Sequence, residues 1–255
     1  MKIGVQTWTI RNYLKTPGEI KASFKRIREM GFELVQLSGL GPIDTDELAG
    51  ILKENGICAT GDHSSWEHFT DKTTLARFIQ EQKKLGCFQI GIGAKPAIYP
   101  DTYDGYTDFI KKVNEICDQA EEAGIGFSYH NHEFEFMKFN GERAIDRLIK
   151  ECPKMEFTLD VFWVQAGGMN PCDYIDKLKT RIKVLHLKDY RIINRQRQFA
   201  EIGQGNLDWP SIFSKCALYN IPYAVIEQDG DYLVDPFESL ALSKKYLDDN
   251  GYFKA

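Results

Sequence analysis

The stretch Ala123-Gly124-Ile125-Gly126-Phe127-Ser128-Tyr129-His130 reads as a helix end running straight into a strand. Upstream of it, Phe109 to Ala123 carries its apolar residues at helical spacing. Gly124 stands where a helix closes in the left-handed conformation, and Phe127-Ser128-Tyr129 is the short apolar run that follows. The same punctuation recurs along the chain. Met30-Gly31-Phe32 precedes Leu34-Val35-Gln36-Leu37, Asn55-Gly56-Ile57 precedes Cys58-Ala59-Thr60-Gly61, and Leu85-Gly86-Cys87 precedes Gln89-Ile90-Gly91-Ile92-Gly93. Three further segments have the same apolar character without the glycine: Phe157-Thr158-Leu159, Val184-Leu185-His186-Leu187 and Tyr223-Ala224-Val225-Ile226. With Ile3-Gly4-Val5 at the start, eight candidate strands emerge. Helical periodicity fills Glu19 to Met30, Leu75 to Leu85, Ala144 to Lys150 and Ser211 to Leu218. Strict β-α alternation calls for parallel strands with right-handed crossovers. The expected fold is therefore α/β, a single (β/α)8 barrel over residues 1–255. An open doubly wound sheet is the alternative. It is disfavoured because Gln6-Thr7-Trp8-Thr9 stands where a glycine fingerprint would follow the first strand.

Thirty-two Lys and Arg against 37 Asp and Glu give a formal net charge of −5. Such a chain offers no electrostatic footprint for nucleic acid or an anionic membrane surface. No apolar run approaches the roughly 20 residues of a membrane span. Met1-Lys2-Ile3-Gly4-Val5-Gln6 enters a strand-like segment without the layout of a signal peptide. Cys58, Cys87, Cys117, Cys152, Cys172 and Cys216 are scattered and form no CxxC pair, so they are expected to be reduced thiols. A cytoplasmic location is the expectation.

In a barrel of this kind the C-terminal strand ends converge on one mouth, where active sites are built. His63, His130, His132 and His186 fall at such ends, and His68 follows in the next loop. Asp160, His186 and Glu227 end three consecutive strands. A single His there is usually a hydrogen-bonded core residue, and a single Asp, such as Asp62 or Asp189, is usually a helix cap. The three together are harder to explain that way, because buried charges need pairing or a metal. A period of two places Lys188 on the face of His186, Asp229 on that of Glu227, and His132 on that of His130. A mixed Asp, Glu and His set suits one divalent ion, Mn²⁺, Mg²⁺, Co²⁺ or Zn²⁺, without preference among them.

At these residues the sequence resembles the sugar phosphate isomerase/epimerase family of xylose isomerase-like TIM barrels. The strings that carry the resemblance are Tyr129-His130-Asn131-His132-Glu133-Phe134-Glu135-Phe136, Leu159-Asp160-Val161-Phe162-Trp163, Val184-Leu185-His186-Leu187-Lys188-Asp189, Ile202-Gly203-Gln204-Gly205-Asn206-Leu207-Asp208-Trp209 and Val225-Ile226-Glu227-Gln228-Asp229. With the opening strand they cover nearly the whole chain. The resemblance implies Asp160, His186 and Glu227 as metal ligands. It departs at strand five, where the better-known epimerases present a glutamate that is both ligand and acid/base group. Here the strand holds none. His130 is the first choice for the fourth ligand, with His132 or Glu133 if the register slips.

The resemblance implies a metal-dependent isomerase or epimerase of a sugar or sugar-like polyol, phosphorylated or not, working through an enediolate. Glu227 is expected to shuttle the proton. Lys188 is expected to hold a substrate oxygen or donate a proton, with its pKa lowered by the nearby cation. Trp8 and Trp163, with Phe162, offer an apolar wall to a sugar ring, and as core aromatics they are equally explicable. His63, His132 and Glu135 are candidates for hydrogen bonds to substrate hydroxyls. Gly203-Gln204-Gly205 either brings backbone N–H groups to a substrate oxygen or phosphate or serves a tight turn. Arg191, Arg195 and Arg197 fit a solvated loop better than a phosphate site, and Asp208 reads as a helix cap before Pro210.

A second enzyme class is a lyase or dehydratase of a keto-sugar, of the inosose or 3-keto-glycoside type, favoured by the extra histidines of strand five. Endonucleases of the same superfamily use multi-metal clusters richer in histidine, which the charge and the five histidines disfavour. A non-enzymatic sugar-binding barrel is the remaining class. The expected partner is a small-molecule carbohydrate. Family members commonly form homo-oligomers, although no self-complementary patch stands out in this chain.

Overall fold

The computed structural model describes residues 1–253. Eight parallel strands form the barrel: β1 (Lys2–Gln6), β2 (Leu34–Leu37), β3 (Cys58–Asp62), β4 (Gln89–Ile92), β5 (Gly126–His130), β6 (Glu156–Asp160), β7 (Ile182–Leu187) and β8 (Tyr223–Ile226). Chain neighbours pair in parallel except β3 and β4, the two sheet edges, which meet through a single bridge at His63↔Gly91, and β8 returns to pair with β1 through Lys2↔Tyr223 to Val5↔Ile226. The seam between β3 and β4 is the loosest. There Phe88 N–H donates to Thr60 O at 3.3 Å and Ser64 N–H to Gly91 O at 3.0 Å. The expected (β/α)8 barrel is the observed fold.

The four punctuating glycines, Gly31, Gly56, Gly86 and Gly124, all have positive φ and end helices as the sequence predicts. The first of those helices, α1 (Pro17–Glu29), begins earlier than periodicity suggests. Thr16 and Glu19 form a reciprocal capping box and Pro17 fits the first turn. The helices Thr45–Asn55 and Pro236–Asp249 are capped by Asp44 and Asp235. Gly4 is required by close packing: a Cβ there would lie 2.1 Å from the Leu34 carbonyl oxygen of the adjacent strand.

Buried leucine, isoleucine and phenylalanine fill the space between barrel and helices. Inside the barrel, below the mouth, the packing turns polar. Gln6, Gln36, Ser128 and Thr158 are all buried and hydrogen-bonded to one another across four strands. Such a layer is stable only when its donors and acceptors match.

One segment departs from expectation. The Arg191 to Arg197 stretch is largely solvent-exposed as expected but forms a β-hairpin instead of an irregular loop: Asp189–Ile193 pairs antiparallel with Gln196–Ala200. Asn194 and Arg195 make its two-residue turn with φ of 50° and 63°. An Asn-Arg turn lacks the glycine that usually advertises such a hairpin, so the pattern is easy to overlook.

Candidate metal centre

The ends of β5, β6, β7 and β8 bring His130, Asp160, His186 and Glu227 together, with one candidate ligand atom from each lying within 4.8 Å of the others. All four are buried. Of the alternatives at strand five, His130 is the one in the cluster. Glu133 is exposed and pairs with Arg197 at 3.1 Å, whereas His132 lines the cavity wall.

The hydrogen bonds behind the cluster fix which histidine nitrogen faces it. His130 Nδ1 lies 2.9 Å from the Gly93 carbonyl oxygen, which only accepts. A neutral His130 therefore carries its proton on Nδ1 and presents the Nε2 lone pair to Asp160 Oδ2, 3.4 Å away. His186 is pinned by a longer chain. Trp8 N–H donates to Gln6 Oε1 at 3.2 Å, which orients that amide, and Gln6 Nε2 then donates to Gln36 Oε1 at 2.9 Å. Gln36 Oε1 is 2.5 Å from His186 Nε2, so that nitrogen donates and Nδ1 presents its lone pair to Glu227 Oε2 at 2.7 Å. Two imidazole lone pairs thus aim at two carboxylates. That arrangement is repulsive unless a cation or proton lies between them, and the donor set fits a divalent ion.

Asp160 is held as firmly. Asn131 Oδ1 accepts from Asp160 N–H at 2.9 Å, and Asn131 Nδ2 donates back to Asp160 O at 3.3 Å. Asp160 also caps the helix Val161–Ala166 by accepting from Trp163 N–H at 3.0 Å. Gln6, Gln36 and Asn131 escaped the sequence reading. Their signal was a lone amide inside or directly after an otherwise apolar strand, which costs stability unless it is paired.

Lys188 is buried within 3.4 Å of Asp160, 2.9 Å of Glu227 and 2.9 Å of Asp229. Burial alone would lower its pKa, but these three carboxylates raise it, so the ammonium is held firmly. Burial would raise Glu227, yet Lys188 and His186 hold it well below the ordinary carboxylate range. The wall opposite is different. Burial, reinforced by His130, keeps His63 well below its usual value and brings His132 down to about 3. Both rings are neutral, and His63 Nε2 and His132 Nδ1 are buried without a hydrogen-bond partner among the described residues.

These groups face a cavity of about 340 Å³ lined by Trp8, His63, His130, His132, Lys188, Glu227 and Asp229. Trp8 stands at its rim, 39% exposed. Trp163 lies behind the lining, its ring 5.1 Å from that of His132 and 5.3 Å from Lys188 Nζ. A larger hollow of about 470 Å³ between β3 and the flanking helices shares only His63 with this cavity and lacks the four clustered residues.

Glu135 is placed differently from the expectation, and the glycine loop takes the second of its two readings, the tight turn. Glu135 does not reach the cavity. It is fully buried, accepts from the Tyr129 hydroxyl and from His132 N–H, the latter at 2.7 Å, and so fixes the His132 backbone instead of meeting substrate. The glycine loop does not offer its amides outward either. Gly203 N–H and Gly205 N–H donate to Asp189 Oδ2 at 3.0 and 3.2 Å, as does Trp209 Nε1–H at 2.7 Å. Asp189 is therefore the internal anion of that loop, while Asp208 caps the next helix as expected.

Among solved structures, the chain superposes on a sugar phosphate isomerase/epimerase of Parabacteroides distasonis ATCC 8503 with a TM-score of 0.83 and 21% identity, covering 99% of this chain and 95% of that one. The D-psicose 3-epimerase of Clostridium cellulolyticum H10, solved with D-tagatose, gives a TM-score of 0.70 and 18% identity over 99% of both chains. Among curated proteins, the inosose dehydratase of Lacticaseibacillus casei is 25% identical over 168 residues, 58% of this chain and 55% of that protein. The chain thus spans about half the length of the curated relatives it matches. No helix among the described residues is long and apolar enough to cross a membrane. A family model of xylose isomerase-like TIM barrels matches residues 24–236, most of the barrel just described, and the chain belongs to that family.

Proposed function

We propose that the chain is a divalent-metal-dependent enzyme that moves a proton next to the carbonyl of a sugar or sugar-like polyol, as an isomerase or epimerase does. The observation that carries this reading is the convergence of two tautomer-fixed imidazoles and two carboxylates beside a buried lysine. His130, Asp160, His186 and Glu227 would hold the ion, whose chemistry when bound is Lewis-acid polarisation of a carbonyl. Glu227, held ionised, takes the proton from the adjacent carbon. Lys188 supplies positive charge where the enediolate oxygen develops, a preorganised stabilisation of the kind that dominates many enolisations. His63 and His132 offer hydrogen bonds to hydroxyls, and Trp8 covers a ring face.

A second reading, a keto-sugar lyase or dehydratase, is favoured by one feature: besides Glu227 the cavity lining has only Asp229, which is paired with Lys188 at 2.9 Å, and the rings of His63 and His132 are neutral. Proton return on the opposite face then lacks its usual carboxylate, while loss of a β-hydroxyl does not need one. The inosose dehydratase relatives point the same way. Incubation with Mn²⁺ and a panel of ketoses and keto-inositols in deuterated water separates the two. Deuterium incorporation with the skeleton intact supports isomerase; loss of water or alcohol supports lyase; neither exchange nor elimination in any substrate rejects both.

A further inference from the structure

The cavity is built for hydroxyls and has nothing left for a phosphate. Among the described residues lining it, Lys188 is the one permanent cation, and its ammonium already faces three carboxylates at 2.9 to 3.4 Å. Asp160, Glu227 and Asp229 carry three negative charges. One ammonium and one divalent ion in the proposed site would balance them without surplus. A phosphomonoester brings a further charge of about −1.5 to −2 at neutral pH.

The surroundings add no reserve. The turn best suited to cradle a phosphate, Gly203-Gln204-Gly205, has its amides committed to the Asp189 carboxylate. Arg11 reaches back to the carbonyls of Trp8 and Asp229 at 2.8 and 2.9 Å. Arg197 pairs with Glu133 at 3.1 Å, and Arg191 faces Glu201 at 4.0 Å. What remains unpartnered in the cavity wall is neutral: His63 and His132 line it, and their buried Nε2 and Nδ1 atoms have no hydrogen-bond partner among the described residues, while Trp8 is partly exposed at the rim. Its volume, about 340 Å³, sits at the small end of the roughly 300–1,000 Å³ range of ligand sites and suits a single ring.

We infer that the substrate is a neutral, unphosphorylated monosaccharide or cyclic keto-polyol, recognised through its hydroxyls by His63 and His132. This inference rests on the enolising reading above.

The test uses the whole chain loaded with Mn²⁺ and calorimetric binding of ketoses and keto-inositols, each beside its own monophosphate, with inorganic phosphate as a separate competitor. The expected result is that a neutral member binds, that its monophosphate binds at least tenfold more weakly, and that 5 mM inorganic phosphate leaves binding unchanged. His63→Ala and His132→Ala should each weaken the neutral ligand several-fold without removing the Mn²⁺. A monophosphate that binds as tightly as its parent or tighter, or competition by inorganic phosphate below 1 mM, overturns the inference. If that phosphorylated sugar still exchanges its α-proton with solvent, the proposed function survives. Absence of binding by every pair overturns the inference, and the separate exchange assay then decides the function.

Discussion

Asp229 holds Lys188 in place: the carboxylate oxygen lies 2.9 Å from an ammonium that also touches Glu227. Lys188 is therefore the positive centre of a buried acidic cluster. Replacing it by Met leaves Asp160, Glu227 and Asp229 facing one another without their cation. Removing one partner of a buried charge group typically costs about 3–5 kcal/mol, so the metal-free Lys188→Met protein should melt well below the parent. Mn²⁺ should then raise the Tm of the variant by more than that of the parent, because the ion would supply the missing charge. Equal shifts in differential scanning calorimetry would show that Lys188 is not electrostatically coupled to the proposed site.

The Gln6-Gln36 chain makes a separate claim on the same site. Gln36 Oε1 accepts from His186 Nε2–H, leaving Nδ1 free to bind. Gln36→Met removes that acceptor while keeping the volume similar. Loss of such an outer hydrogen bond commonly lowers metal affinity about 10–100-fold, and Mn²⁺ titration should read a drop of that size. His130 is pinned independently by Gly93, so its contribution should persist. Unchanged Mn²⁺ affinity in a folded Gln36→Met protein would refute the tautomer argument.

The barrel was legible because its punctuation is local. Gly124 and its three equivalents encode a helix stop through backbone sterics alone, and the apolar runs after them can only be strands. Asp160, His186 and Glu227 were legible for the same reason, since each charged residue closes an apolar strand. Glu135 and Asp189 were not. Both are acids next to the right motifs, yet what they meet depends on the path of the backbone after the strand. Glu135 turns back under His132, and Asp189 points into the Gly203-Gly205 turn. Gln36 was invisible because its role requires Gln6, 30 residues away, and His186, 150 residues away. No period along the chain reports a contact of that range.

Asp189 itself is open to test. Its Oδ2 accepts from Gly203 N–H, Gly205 N–H and Trp209 Nε1–H. In Asp189→Asn, either the amide NH₂ faces three donors or it turns and faces those on the other side, Tyr190 N–H and Leu207 N–H. Leaving buried donors unsatisfied costs about 1–3 kcal/mol. Denaturant unfolding should show a loss in that range, with amide exchange accelerated at residues 203–207. Unaltered protection there would mean that the carboxylate does not organise the turn.

Asp62 supplies a pH signature away from the clustered residues. Burial raises its pKa from 3.8 to about 7 in the folded chain. Between those values the native state keeps a proton that the unfolded chain has released. Stability therefore falls as pH rises from about 4 to about 7 and levels off above that. Asp62→Asn removes the ionisation while keeping the shape. It should change little at pH 4 and stabilise at pH 8 by roughly 1–3 kcal/mol, a range reduced for the partial exposure of the side chain. Urea unfolding of both proteins at the two pH values is the measurement. A gain of the same size at both pH values would assign the effect to packing and remove the titration argument for Asp62.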